Sequence, residues 1–166
     1  MVQTLATAVT WLFVPGDRPE RFAKAAASGA DLVVVDLEDA VAEPDKAGAR
    51  TAVARWLVGE GATACQGGRV VVRVNGSHTG QHAADLDAVA GTGCAVMLPK
   101  VEDVAAAAAV ADRIPGQRLV GLIETPRGVL AAADLLLELI AGGQHRQVTL
   151  PTKLVIGRTT DRVSGR

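Results

Sequence analysis

Four short stretches hold the residues able to do chemistry, and each closes an apolar run. Leu119-Val-Gly-Leu-Ile-Glu124 ends in a carboxylate, after which Thr125 offers a helix cap and Pro126 a first-turn residue needing no N–H. Side chains alternate along a strand, so Glu124 shares a face with Val120 and Leu122. A lone carboxylate on a buried face requires a partner, either a hard divalent ion or an arginine. Leu32-Val-Val-Val-Asp36 runs into Leu37, Glu38 and Asp39. These three crowded carboxylates either support a metal and its waters or form a solvated loop that caps the next helix. In Arg69-Val-Val-Val-Arg73-Val-Asn75, Arg73 shares a face with Val71 and Asn75. Burying it unpaired is costly, and its fork suits a carboxylate. It either binds a substrate acid or pairs with Glu38 or Glu124. Leu98-Pro-Lys100 offers a lysine with three readings: Schiff-base nucleophile, substrate contact or exposed cation.

Less specific signals lie elsewhere. Asp17, Arg18, Arg21 and Lys24 put charges beside a Pro-Gly turn and a helix start, which suits either an anion or a solvated helix face. His78, His82 and His145 show no metal-type spacing and read as solvated. Cys65 and Cys94 form no disulfide framework and read as reduced thiols of a cytosolic protein.

The apolar runs that position these residues read as parallel strands. These runs are Trp11–Val14, 32–36, 69–75, 95–98 and 119–123, the second of them strongly β-branched and apolar on both faces. Helices are expected from a capping box at Asp17 and Glu20 to about Ser28, from Glu43 to about Val58, up to about Ala90, from Glu102 to about Arg113, and from Pro126 to about Ile140. A Gly-rich linker fills 59–68. Regular βα alternation means a parallel sheet with helical crossovers. Every strand ends in polar groups, and no G-x-G-x-x-G follows the first one. A (β/α)8 TIM-barrel type is therefore expected over a Rossmann fold. Only five or six βα units are legible, so the barrel is incomplete. Alanine nearly vanishes after about residue 138, which separates a barrel segment, 1–138, from a divergent tail, 139–166, with a sixth strand at 153–157.

Composition excludes several classes. With a net charge of -1, two Trp, two Phe and no Tyr, there is no basic or stacking surface for nucleic acid. No apolar run is long enough to span a membrane. Residues 5–14 lack a basic leader and read as the approach to a strand rather than a signal peptide.

Five motifs in order then resemble one family: Leu12-Phe-Val-Pro-Gly16 with Pro19-Glu-Arg21, Val35-Asp-Leu-Glu-Asp-Ala-Val41, Val72-Arg-Val-Asn75, Leu98-Pro-Lys-Val-Glu102 and Ile123-Glu-Thr125. Over about 10–138 the chain resembles the citrate lyase β-subunit family of the HpcH/HpaI aldolase superfamily, with malyl-CoA and citramalyl-CoA lyases as relatives. The resemblance implies a (β/α)8 barrel, usually oligomeric, and a Mg²⁺-dependent lyase. Such an enzyme cleaves citryl-, malyl- or citramalyl-CoA to acetyl-CoA and a 2-oxo acid. By the same resemblance Glu124 is a magnesium ligand and Arg73 holds the substrate carboxylate. Asp36, Glu38 and Asp39 support the metal's waters, and Phe13 and Lys24 contact substrate or CoA. A second metal ligand is expected after strand six, where Asp161 is the nearest counterpart, one residue too far along. The family's last βα units and catalytic lid have no counterpart here, so a shortened member is expected, with a shifted reading frame after about 138 as one account. Two other readings stay open: a CoA-independent hydroxy-oxo-acid aldolase, and an inactive fragment that associates with full-length relatives.

Overall fold

The computed structural model describes Leu5 and residues 7–140, with side chains placed as far as Ala133. Asp161, His145 and the sixth strand expected at 153–157 lie outside the described residues. Five parallel strands form one sheet in the order β1-β2-β3-β4-β5: β1 Trp11–Pro15, β2 Leu32–Asp36, β3 Val70–Arg73, β4 Ala95–Leu98 and β5 Leu119–Gly121. A sheet whose spatial order equals its chain order is that of a (β/α) barrel; a Rossmann sheet reverses direction after its third strand. Among the described residues the sheet is open, with β1 and β5 at its edges.

The helices are α1 Phe22–Ala26, α2 Lys46–Val58, α3 Ala62–Gln66, α4 His82–Val89, α5 Val104–Arg113 and α6 Pro126–Ile140. None of the described helices is long and apolar enough to cross a membrane. Strand alternation sorts the core into two layers. Val33, Val35, Val70, Val72, Val74, Val96 and Leu98 pack under the helices with Phe22, Val53, Leu57 and Leu86. Leu32, Val34, Val71, Ala95, Met97 and Val120 form the other layer, on the face that a closed barrel turns inward. Fully burying each of these side chains contributes about 1.5–3 kcal/mol. Phe22 also meets the Trp56 ring at 5.2 Å between centroids, which fixes α1 against α2.

Several local expectations change. The stretch 59–68 is not all linker, because α3 occupies Ala62–Gln66 and buries Cys65. Asp17 caps no helix: Pro19 opens a short 3₁₀ turn, Pro19–Arg21, and its ring nitrogen offers no N–H to receive a cap. Glu102 precedes α5 rather than starting it, and Asp103 is the cap, accepting the Ala105 amide at 2.8 Å. β5 ends at Gly121, although the Leu122 amide still donates to the Leu98 carbonyl at 2.9 Å. The Thr125 cap holds as expected, its hydroxyl accepting the Gly128 amide at 3.0 Å. Gly128 must lack a side chain, since a Cβ there would collide with the Val101 carbonyl.

Candidate active site

Asp36 and Arg73 are register partners on β2 and β3, so their side chains leave one face of the sheet together. Asp36 Oδ1 accepts from Arg73 Nε at 2.8 Å, and its Oδ2 accepts from the guanidinium Nη2 at 2.5 Å. The same carboxylate accepts the amides of Glu38, at 2.9 Å, and Ala40, at 3.1 Å, and so folds the acidic loop back over the strand end. Asp36 is only 1% exposed, which makes this fork a buried ion pair. Arg73 Nη1 lies 3.1 Å from Glu38 Oε2 and 3.7 Å from Asp39 Oδ2, and the guanidinium sits 5.3 Å from the centre of the Phe13 ring. Burial works against the arginine's charge, but its bond to Asp36 and the nearby Glu38 and Asp39 outweigh that and raise its pKa above the ordinary value. Of the pairings open to Arg73, the structure forms the one with Glu38, adds Asp36, and brings in no bond to Glu124.

Glu38 and Glu124 are joined through Lys100. Its backbone N–H donates to Glu124 Oε1 at 3.0 Å, and its ammonium donates to Glu38 Oε1 at 2.7 Å, with Asp39 Oδ1 at 3.9 Å. That bond to Glu38 is the main reason the lysine's pKa is raised. The Glu38 carboxylate thus holds the ammonium as a cation, which opposes the neutral amine that a Schiff-base nucleophile requires. Glu124 is exposed, contrary to the buried carboxylate that its strand pattern suggests. It lies just past the end of β5, an edge strand covered on one side only. Lys24, on α1, is exposed and makes no ion pair among the described residues.

Residues outside these motifs build the support beneath them. Lys46, 8% exposed, donates its ammonium to the carbonyls of Leu37 and Glu38, at 2.8 Å each. Asn75 Nδ2 donates to the Leu37 carbonyl at 2.8 Å and to Asp85 Oδ2 at 2.6 Å, and Asp85 is in turn held by Arg50 Nε at 2.8 Å. This chain ties α2 and α4 to the loop that carries Glu38. A signal for it is present in the sequence: Lys46 stands on the same helical stripe as Ala49, Val53 and Leu57, and Asp85 stands one turn before Val89. A charge inside an apolar stripe requires a buried partner. His82, expected to be solvated, is half-buried with Nδ1 2.7 Å from the Asn75 carbonyl. At the mouth of β1, Gly16 donates its amide to the Asp36 carbonyl at 2.8 Å, and a Cβ would come within 2.8 Å of that oxygen.

The donor set suits a hard cation held partly by its own waters. Glu124 spends one oxygen on an amide, and the other makes no hydrogen bond among the described residues. Glu38 Oε2 is buried without a hydrogen bond, its one charged neighbour being Arg73. Among the described residues no three acidic, histidine or cysteine side chains converge as a complete metal cage. Mg²⁺ asks for no such cage, since it is usually held by one or two carboxylates together with waters and substrate oxygens. The carboxylate oxygens of Glu124, Glu38 and Asp39 are the ones that could hold such an ion or its waters.

Comparison with known proteins adds a family to this geometry. The chain is 47% identical over 126 residues to a citrate lyase subunit beta-like protein of Mycobacterium tuberculosis, covering 75% of this chain and 42% of that protein. A (3S)-malyl-CoA thioesterase of Cereibacter sphaeroides is 40% identical over 126 residues, covering 75% of this chain and 43% of the relative. The chain thus spans less than half the length of these relatives. Among solved structures, protein CitE from Mycobacterium tuberculosis in complex with magnesium and pyruvate superposes with a TM-score of 0.65 at 44% identity, over 79% of this chain and 51% of that one. The citrate lyase beta subunit from the same organism, complexed with oxaloacetate and magnesium, gives 0.65 at 37% identity, over 86% and 66%. The profile of HpcH/HpaI aldolase/citrate lyase proteins matches residues 10–139, and the chain belongs to that family.

Proposed function

We propose that this chain carries the acid- and metal-binding half of a Mg²⁺-dependent carbon–carbon lyase acting on the CoA ester of a hydroxy di- or tricarboxylic acid. What supports the reading most is one line of side chains along the carboxyl ends of consecutive strands: Phe13, Asp36 with Glu38, Arg73, Lys100 and Glu124. The relatives crystallised with magnesium and pyruvate or oxaloacetate point the same way. Magnesium, when bound, supplies Lewis acidity toward the oxygens of a 2-oxo or 2-hydroxy acid. Asp36 holds the guanidinium of Arg73 in one orientation, and Phe13 lies against it. Its outer N–H groups are then directed at a substrate carboxylate, at little cost in side-chain entropy. Glu124, oriented by the Lys100 amide, supplies the direct carboxylate ligand, and Glu38 and Asp39 accept from the ion's waters. Asp161 is the second ligand in this reading.

Thermal unfolding of the chain with Mg²⁺ and oxaloacetate, singly and together, tests it. A ligand that binds only the folded state raises its stability. The transition is expected to rise when both are present, and the Glu124→Gln variant to lose that rise while unfolding normally without ligands. A rise that survives in the variant overturns the assignment of Glu124. The thioesterase relatives favour a second reading, hydrolysis of malyl-CoA. Product analysis separates the two: acetyl-CoA with glyoxylate marks the lyase, and free CoA with malate marks the thioesterase.

A further inference from the structure

We infer that Lys100 sets the charge of this site, holding a divalent cation more loosely and an anionic acid more tightly than the carboxylates alone would; the inference rests on the metal–acid reading above. Among the described residues, Lys100 is the one non-glycine with a positive φ, 51°. L-residues with long side chains rarely adopt this conformation, and it persists where surrounding contacts fix it. Two contacts do so here, and both are carboxylates of the site. The backbone N–H is bonded to Glu124, beyond β5, and the ammonium is bonded to Glu38, beyond β2. One left-handed residue therefore joins the two carboxylates assigned to the metal and to its waters.

The charge count gives this placement its consequence. Asp36, Glu38, Asp39 and Glu124 face Arg73 and Lys100, with the Lys46 ammonium against the Glu38 carbonyl, which leaves one negative charge. A divalent ion turns the cluster positive by one charge, and an anionic acid then meets a net attraction. Without the Lys100 ammonium two negative charges remain, and the ion leaves no net attraction for the acid. The cation then binds more tightly by itself, and the acid loses a counter-charge. The lysine also occupies Glu38 Oε1, an oxygen that the metal's waters would otherwise use.

Calorimetric titration of the full chain with MgCl₂ alone, and with oxaloacetate at saturating MgCl₂, tests the inference in the wild type, Lys100→Met and Lys100→Arg. For Lys100→Met the expected result is Mg²⁺ affinity raised about fivefold and oxaloacetate affinity lowered by a similar factor. Lys100→Arg is expected to match the wild type on both. Lys100→Gln, which keeps the side chain's length and polarity, reads the same question if Lys100→Met loses the fold. A purely structural role would move both affinities in one direction, and that outcome, or no movement, overturns the inference. A wild type that takes up neither ligand overturns the metal–acid reading itself and this inference with it.

Discussion

The two ends of the parallel sheet use charge in opposite ways. At the amino ends of the strands, charged and polar groups are satisfied by backbone. Asp31 accepts the amides of Val9 and Thr10, at 2.9 and 2.8 Å, and the Thr10 hydroxyl. Arg69 donates to the carbonyls of Ala26 and Ala30, at 3.3 and 3.0 Å, and Gln117 donates to those of Val89 and Cys94. At the carboxyl ends side chains also bond to backbone, but there the charged groups meet one another as well: Asp36 with Arg73, and Glu38 with Arg73 and Lys100. Carboxylates and cations bonded to each other keep unused donor and acceptor positions, and a ligand can exchange for a partner. The amino end therefore reads as a seam that closes the fold, and the carboxyl end as a site, the division of labour general to (β/α) barrels.

The largest effect expected from breaking this contrast is at Arg73. Arg73→Ala leaves Asp36 and Glu38 buried without their cation, and urea denaturation should show a loss of about 3–5 kcal/mol. Adding Asp36→Ala to that variant should restore part of the loss, because the uncompensated charge goes with it. At the amino end, Arg69→Ala removes two charged hydrogen bonds to carbonyls, and the same measurement should show about 1–2 kcal/mol with no change in ligand response. Thr125→Ala removes the cap of α6 and should cost about 1 kcal/mol. It should also weaken the Mg²⁺–oxaloacetate response, since Thr125 adjoins Glu124.

The smallest effects are in the pH dependence, and they differ in sign between the two ends. The Thr10 and Val9 amides and the Thr10 hydroxyl hold the Asp31 carboxyl below its usual range. Its contribution to stability is present above the unfolded value, near pH 4, and is lost as pH falls through the folded value. Asp31→Asn should flatten the acid limb of a stability–pH curve. The Lys100 pKa is raised by Glu38, so its contribution is complete below the unfolded value, near pH 10.4, and is lost as pH rises through the folded value. Lys100→Gln should flatten the alkaline limb. A flattening at the wrong limb would show that the named carboxylate or ammonium is not the group responsible.

The two cysteines are buried and take no part in the site. Burial pushes the Cys65 thiol up to about 12 and raises that of Cys94 as well. Neither is therefore a nucleophile at neutral pH, and both fit the reduced thiols expected from the sequence.

The sequence by itself determined the elements and their order. The run Leu32–Asp36 is read to the residue because a β-branched run bounded by polar groups has few other stable conformations, and Ala95–Leu98 because it is a short apolar run stopped by Pro99. It also determined which residue types stand at the strand mouths, since alternation is a local property of the backbone. Partners were decided only by the tertiary structure. Arg73 joins Asp36 because β2 and β3 align those two positions, and register is a relation between strands far apart in the chain. Glu124 is exposed and bonded to the Lys100 amide, a placement that its own alternation does not encode. Lys46 and Asp85 enter the support of the acidic loop because two helices pack side by side over the sheet. Their charges within apolar stripes show that each needs a partner, and the fold alone supplies its identity, the Leu37 and Glu38 carbonyls for Lys46 and Asn75 with Arg50 for Asp85.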